Sequence, residues 1–491
     1  MKKIRLSAQL LLTITVFAAA LLMQLRIYDL GLDIDREGVI VEGARAMRQG
    51  AIDYDALGVR SGRFMIEDPI LRLGGNLTTL RSFWSVLRAA TAAMIFYTVM
   101  VLAGAGVAFP VALVSLLLPG PWAEAWTPFV SLLVVVALLF FRRKPRQSTA
   151  LLVGVALGVA IAEDPGVGLW LLLAALPAIS RLVSAGKDRF VAPLLAFAGA
   201  CVTLLAFAPW VRKIDLGAFA GEYLHALPGA PAAWSTLPPA LYTIPPAMAL
   251  LIAVGVYAYA RRPAWLTPGG AADVLALSLI SLALLLATLA HPEPADLLLN
   301  FAPALALGGV IFGWGWRQAK QKNAKIAAAL LGVWLVALVV SVTPLNDNRL
   351  GGVGVMKERT LRLDNEFAPM QVNAREKEIL ENLVTSIRAA APEADDAIFI
   401  VPDAALLYAM ADRYNVLNAP GVTRLPDAKL REKLAATPPQ VVVMPARAQG
   451  FAAAYPQTWG WLTEVYEPWL FVTPFALLAP RPADVPLAAE E

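Results

Sequence analysis

MKKIRLSAQLLLTITVFAAALLMQLRIYDLGLDIDREGVIVEGARAMRQG, residues 1–50, decides how the rest of the chain is read. Lys2, Lys3 and Arg5 precede about 20 apolar residues, enough to cross the ~30 Å hydrocarbon core of a bilayer. No small-x-small cleavage site closes this long run, so it reads as an uncleaved first span with its N-terminus in the cytoplasm. Directly after it the composition inverts. Between residues 28 and 85 lie Asp29, Asp33, Asp35, Glu37, Glu42, Asp53, Asp55, Glu67 and Asp68, interleaved with Arg36, Arg45, Arg48, Arg60, Arg63, Arg72 and Arg81 and no lysine. Carboxylates can activate a nucleophile, and guanidinium groups hold phosphate oxygens two at a time. Next to a bilayer that pairing suggests chemistry on a lipid phosphate. The same residues also suit a solvated loop with surface ion pairs.

Outward from this stretch, 58% of the 491 residues are hydrophobic and 16% are charged, against roughly 25% charged in soluble domains. The chain is therefore expected to be a polytopic α-helical membrane protein. Apolar segments follow at about 86–107, 108–121, 127–141, 148–162, 167–183, 190–209, 245–260, 271–290, 298–315 and 325–344, about 11 transmembrane helices with the first. Clusters at Arg142–Arg146, Arg181–Arg189, Arg261–Arg262 and Arg317–Lys325, with the N-terminal three, put 16 basic residues on one side. The opposing loops hold Arg212 and Lys213 alone. Positive-inside counting places the clusters in the cytoplasm, and the acidic–arginine loop and the C-terminus outside. The one cysteine, Cys201, sits in an apolar run and reads as packing; two histidines and no Cys/His cluster leave no histidine–thiolate metal site.

Within the loop, VIVEGARAMRQG has helical spacing, with Val39, Ile40, Ala44 and Met47 opposite Glu42, Arg45 and Arg48, and a stop at Gly50. It is expected to be an amphipathic interfacial helix, and a second is expected over Pro69–Leu80 after the Asp68-Pro69 start signal. Glu163-Asp164 and His291 lie at outer ends of spans, as ordinary loop polarity or as substrate contacts. Trp210, Tyr223, Trp234 and Tyr242 suit an aromatic belt or a groove for a lipid chain or sugar. After Pro344 the composition becomes that of a soluble domain. REKEILENLVTSIRAAAP, AALLYAMADRYN and LREKLAATPP read as helices, DAIFIVPD and QVVVMPA as strands, and EVYEPWLFVTPFALLAPR as two strands broken at Pro474. The expected domains are 1–345, a transmembrane domain including the outer loop 28–85, and 346–491, an extracytoplasmic soluble α/β domain whose part from about Asn373 to Pro482 is expected to fold alone. No glycine-rich phosphate loop follows a strand, which argues against nucleotide binding.

The order Asp35-Arg36-Glu37-Gly38, Ala44, Met47, Gly50, Tyr54 behind a first span resembles the GT-C superfamily. These are polytopic glycosyltransferases that use polyprenyl-phosphate-linked sugars, and the likeness is to bacterial members of the protein mannosyltransferase and aminoarabinose transferase type. Arg36 splits the acid pair usual there. The resemblance implies a GT-C-like fold and inverting transfer to an extracytoplasmic glycan, lipid or protein acceptor, in a bacterial cytoplasmic (inner) membrane, with no nucleic acid involved. Asp35 best matches the catalytic acid, with Asp33 and Glu37 as alternatives. Arg60, Arg63 or Lys213 would stabilise the leaving phosphate, and Tyr54, Glu163, Asp164 and His291 would contact substrate. No cofactor is certain; Asp33-x-Asp35 leaves room for a divalent cation, Mg or Mn. The competing classes are a lipid-linked saccharide transporter or flippase, which would need ionisable residues within the spans, and a non-catalytic membrane scaffold.

The charge asymmetry is directly testable. Reporter fusions after residues 145, 188 and 320 should read cytoplasmic, and those after 60 and 480 external. A cytoplasmic C-terminus would contradict the assignment.

Overall fold

The computed structural model describes residues 6–48, 62–116, 125–182, 188–207, 242–261, 268–290, 300–318, 329, 332–333, 359–401, 404–417, 425–446 and 448–481. Contacts divide the chain into two compact units: Met1–Tyr28 with Arg81–Met356, and Asp29–Leu80 with Lys357–Glu491. The helices in chain order are α1 (Leu6–Leu25), α2 (Arg36–Arg48), α3 (Phe64–Gly74), α4 (Leu77–Ala103), α5 (Ala105–Leu116), α6 (Trp126–Arg143), α7 (Gln147–Glu163), α8 (Pro165–Leu182), α9 (Asp188–Ala206), α10 (Ile244–Arg261), α11 (Pro268–Ala290) and α12 (Phe301–Gln318).

The first unit is a bundle of apolar helices. Ten of the eleven expected segments are helices, and the last, 325–344, falls almost wholly outside the described residues. Five helices are long and apolar enough to cross a membrane: Ser7–Leu25, Leu77–Ala103, Trp126–Arg143, Ile244–Arg261 and Gly269–Leu289. The shorter apolar helices are Ala105–Leu116, Gln147–Glu163, Pro165–Ile179, Val191–Ala206 and Phe301–Trp316. The protein is a multi-pass helical membrane protein; the figure of eleven crossings rests on the loop charges. Small residues let the helices approach: Ala20 of α1 packs on Ala89 and Ala92 of α4. Leu10, Leu11, Ile14 and Leu22 of α1 and Leu194, Val202 and Leu205 of α9 stay exposed, as suits side chains whose solvent is lipid. Cys201 lies on that exposed face of α9 rather than in the core expected for it, because an apolar run in a membrane helix does not tell lipid from protein interior.

The second unit carries a C-terminal α/β domain. Its elements are β1 (Leu361–Arg362), β2 (Gln371–Val372), α13 (Ala374–Ala390), β3 (Ala397–Ile400), α14 (Leu406–Ala411), β4 (Tyr414–Asn415), α15 (Asp427–Ala436), β5 (Val441–Pro445), α16 (Gln449–Ala454), α17 (Pro456–Val465), β6 (Tyr466–Val472) and β7 (Phe475–Pro480). The five-stranded sheet runs β4-β3-β5-β7-β6, with β3 parallel to β4 and β5, and β7 antiparallel to β5 and β6. Phe399, Val442 and Met444 pack with Leu430, Leu434, Leu462 and Tyr466 to form its core. Asn373 starts α13 by accepting the Glu376 N–H at 2.8 Å while Glu376 accepts the Asn373 N–H at 3.1 Å, a reciprocal cap. The helices α16 and α17 were not anticipated from the sequence.

Residues 29–80 belong to this same unit, whereas the expected division ran at 345/346. The Gln371 N–H donates to Asp29 C=O and the Gly31 N–H to Gln371 C=O, both at 2.8 Å, which makes Leu30 and Gln371 partners in a parallel bridge. Leu406 N–H donates to Ile34 C=O and Leu77 N–H to Phe367 C=O, both at 2.9 Å. The helix α2 is not a half-bare interfacial helix. It packs on α3 and α14 and buries Ile40, Val41 and Ala44 together with Glu37 and Glu42, the latter expected on its wet face. The helix α3 starts at Phe64, upstream of the Asp68-Pro69 signal, and tolerates Pro69 inside at the loss of one backbone bond. It ends where Gly75 takes a left-handed φ of +69° and its N–H closes on Leu71 C=O at 2.7 Å, so Leu77–Leu80 begin α4 instead.

A fragment of residues 357–481 should therefore melt at least ~5 °C below one in which residues 29–80 are fused to it, because the fragment alone uncovers α14. Equal melting temperatures would show that the domain is complete without the loop.

Candidate functional site

The three candidate acids sit at the N-terminus of α2 and are used differently. Asp33 Oδ1 accepts the Arg36 N–H at 3.0 Å, and the Asp33 N–H donates to Glu37 Oε2 at 3.1 Å. That reciprocal arrangement satisfies helix-start donors, and it leaves Glu37 fully buried. Asp35 is half-buried in the turn between them, its C=O accepting the Val39 N–H at 2.8 Å. Negative charge here also meets the positive end of the α2 dipole.

The side of α2 behind this turn meets the segment 404–415. A Cβ on Gly38 would lie 2.1 Å from Leu406 N and 2.6 Å from Ala405 C, so the close approach needs glycine. Glu42 is buried; the Arg45 Nη1 donates to it at 3.2 Å and the Asn415 side chain also hydrogen-bonds it. Burial pushes the Glu42 carboxyl up to about 7, against the pull of Arg45 and Asn415. Burial likewise raises the Tyr408 phenol, whose oxygen accepts the Ile400 N–H at 2.8 Å.

The arginines of the loop are largely spent within it. Arg48 holds Asp68 with Nη2 at 2.7 Å and Nε at 3.0 Å, and Arg72 closes on the other Asp68 oxygen. Arg63, a candidate for the donor phosphate, is buried with its Nε 3.6 Å from Glu67 Oε2. Tyr54, Arg60, Lys213 and His291 lie outside the described residues.

In the helical unit Glu163 and Asp164 are both buried. Asp164 Oδ1 accepts the N–H groups of Gly166 at 2.9 Å and Val167 at 3.1 Å, capping α8, and Glu163 Oε1 accepts the Thr127 hydroxyl at 3.4 Å. Both positions thus have structural work. The sequence reading passed over Arg88, half-buried in the apolar helix α4 and facing a cavity of about 30 Å³ lined also by Thr91, Ile95, Leu116, Pro128 and Ala302. A charge in an otherwise apolar run was the signal for it. Asp273, buried in α11, is paired with Arg142 at 2.5 Å, and Arg143 donates to the Tyr97 hydroxyl at 2.8 Å. The spans are therefore less free of ionisable groups than their hydropathy suggests.

Among the described residues no three His, Cys, Asp or Glu side chains gather into a metal-ligand set. Asp33 has one oxygen on the Arg36 N–H. Asp33 and Asp35 do not by themselves make a divalent-cation site.

No protein-family model matches the chain, and no characterised protein sequence matches it. Among solved structures it is similar to the Archaeoglobus fulgidus oligosaccharyltransferase complex with zinc and sulfate, with a TM-score of 0.49 and 11% identity over 92% of this chain and 71% of that one. It is also similar to ArnT from Cupriavidus metallidurans, in the apo state with a TM-score of 0.45 and 15% identity, and bound to undecaprenyl phosphate with 0.42 and 14%. Both ArnT alignments cover 96% of this chain and 97% of that one. Likenesses at this level establish neither a common fold nor an activity.

Glu42 gives a pH prediction. Its folded-state value lies above the ordinary 4.5, so its contribution to stability is full below pH 4.5 and is lost as pH rises through about 7. Glu42→Gln should stabilise the second unit by about 1–3 kcal/mol at pH 8 and by little at pH 5. Thermal melts at the two pH values check this; an unchanged pH dependence in the variant would contradict the burial of a titrating carboxyl.

Proposed function

We propose that the protein is an integral membrane glycosyltransferase that moves a sugar from a polyprenyl-phosphate donor to an extracytoplasmic acceptor with inversion. The observation that carries this reading is the acidic turn at the N-terminus of α2, where Asp33, Asp35 and Glu37 stand together. Asp33 and Glu37 each bond the start of α2, and Asp35, the best match in the sequence order to a catalytic acid, sits half-buried in the turn between them. The sequence order around Asp35 and the apolar helices that follow support the same reading. Of the finer assignments, the bacterial cytoplasmic membrane rests on the resemblance, and the orientation, with the N-terminus inside and the C-terminal domain outside, rests on the loop charges.

In this mechanism the Asp35 carboxylate takes the proton of the acceptor hydroxyl or amine as that group attacks the anomeric carbon. The new glycosidic bond forms on the face opposite the leaving oxygen. The bond from the anomeric carbon to the phosphate oxygen breaks, and the polyprenyl phosphate departs with the electron pair. Its growing negative charge calls for a cation. Arg60, Arg63 and Lys213 are the candidates from the loops, with Arg63 already holding Glu67. Glu163, Asp164, Tyr54 and His291 remain candidates for substrate contact. No nucleotide takes part.

Asp35→Asn keeps the size of the side chain and removes its basicity. Transfer from a panel of radiolabelled polyprenyl-phosphate sugars, by purified protein in lipid nanodiscs, should fall about 10²–10⁴-fold. The amount of folded protein should be unchanged. Wild-type rates in Asp35→Asn, with activity abolished by Asp33→Asn or Glu37→Gln, would move the base off Asp35.

A further inference from the structure

The C-terminal domain touches the acidic turn directly. Gly38, Glu42 and Arg45 recur at helical spacing and form one stripe along α2. Each meets the segment 404–415. Gly38 lies under the Leu406 backbone, Glu42 bonds Asn415, and Arg45 Nη2 is 3.8 Å from Asp412 Oδ1. One turn before the stripe, the Leu406 N–H holds Ile34 C=O at 2.9 Å, in the residue next to Asp35. The close approach at Gly38 fixes how near α2 comes, and the bond at Glu42 fixes its rotation.

We propose that Asn415 and Gly38 are positioning residues: by holding α2 in one register against the C-terminal segment 404–415, they set the place of the Asp35 carboxylate. This rests on the reading of Asp35 as the base. A leucine at position 42 would fill the space without desolvating a carboxyl, so the Glu42–Asn415 bond contributes orientation rather than stability. Asn415 is suited to that task because its Oδ1 is fixed by the Leu417 N–H at 3.0 Å, which leaves its amide N–H groups to donate to Glu42.

The joint also makes position depend on protonation. The groups around Glu42 are Arg45 on its own helix and Tyr408 and Asn415 from the C-terminal segment, with Asp412 acting through Arg45. On α3, the other element packed on α2, the charged groups are Glu67 with Arg63, and Asp68 with Arg48 and Arg72. Those are already paired with one another, which leaves Glu42 as the group whose proton changes the joint near neutrality.

The test uses the full chain in nanodiscs, hydrogen exchange of peptides covering residues 31–39, and transfer from whichever polyprenyl-phosphate sugar of the panel the wild type accepts. Asn415→Asp keeps the bond to Leu417 N–H but sets a carboxylate against Glu42. It should speed exchange in 31–39, leave 397–400 and 441–445 protected, and lower kcat about 10- to 100-fold with KM nearly unchanged. Combining it with Glu42→Gln reverses donor and acceptor and should restore both protection and kcat. Gly38→Ala should act in the same direction as Asn415→Asp. Unchanged exchange in 31–39 for Asn415→Asp would overturn the proposal, and so would wild-type kcat in that variant when Asp35→Asn is inactive. Activity surviving in Asp35→Asn itself marks failure of the catalytic reading instead, and withdraws the positioning role with it.

Discussion

Two main-chain connections hold the candidate chemistry in place: the exchange between Gln371 and residues 29 and 31, and the bond from Leu406 N–H to Ile34 C=O. They fall on either side of the turn that begins α2. A loop of about 50 residues with nine carboxylates and six arginines cannot form a core of its own. Its acidic groups acquire fixed positions where the C-terminal domain supplies backbone partners and where α2, packed on α3 and α14, buries Ile40, Val41 and Ala44. The Asp29 side chain adds a further tie, accepting from Gln371 Nε2 at 2.7 Å.

The charge pattern of the loop also takes on a different meaning once its partners are known. Arginines without lysine suggested phosphate binding, yet Arg48, Arg63 and Arg72 each serve a carboxylate on α3. Their first task is to neutralise acids in a loop that sits partly out of water, where an unpaired charge is costly. The acids divide in the same way. Asp33 and Glu37 build the helix start, Asp68 holds α2 and α3 together, and Glu42 is buried at the joint with segment 404–415. Asp35 sits half-buried in the turn between Asp33 and Glu37.

Much of this was legible in the sequence. Apolar runs located most of the membrane helices to within a few residues, because hydropathy over about 20 residues is a local property, although Leu77–Ala103 starts nine residues before the run at 86–107. The strands QVVVMPA and DAIFIVPD, and the break at Pro474, appear where their patterns place them. What stayed hidden was non-local. Gln371 and Asp29 are 342 residues apart, and no periodicity announces that they meet. For the same reason Glu42 looked like the wet face of an interfacial helix. The start of α3 was misread because Asp68-Pro69 is a good start signal, and the ion pairs on Asp68 that hold it mid-helix come from elsewhere. The capping roles of Asp33 and Glu37 were readable from their spacing, and Arg88 from its apolar surroundings, but the prominence of the acidic cluster as a whole obscured the first and the mean hydropathy of the span the second.

The most direct test of the account is whether the outer loop and the C-terminal domain meet through the Leu30–Gln371 bridge. In a Cys201→Ser background, Leu30→Cys with Gln371→Cys places two thiols on bridge partners, whose side chains project to the same side of a parallel pair. Mild oxidation of the folded protein in nanodiscs should join residues 30 and 371 nearly completely, read as a cross-linked peptide after proteolysis. A control pair with Cys at Leu30 and at exposed Leu361 should stay reduced. No cross-link between 30 and 371 in folded protein, or equal cross-linking in the control, would contradict the claim that the loop is held in register by the C-terminal domain.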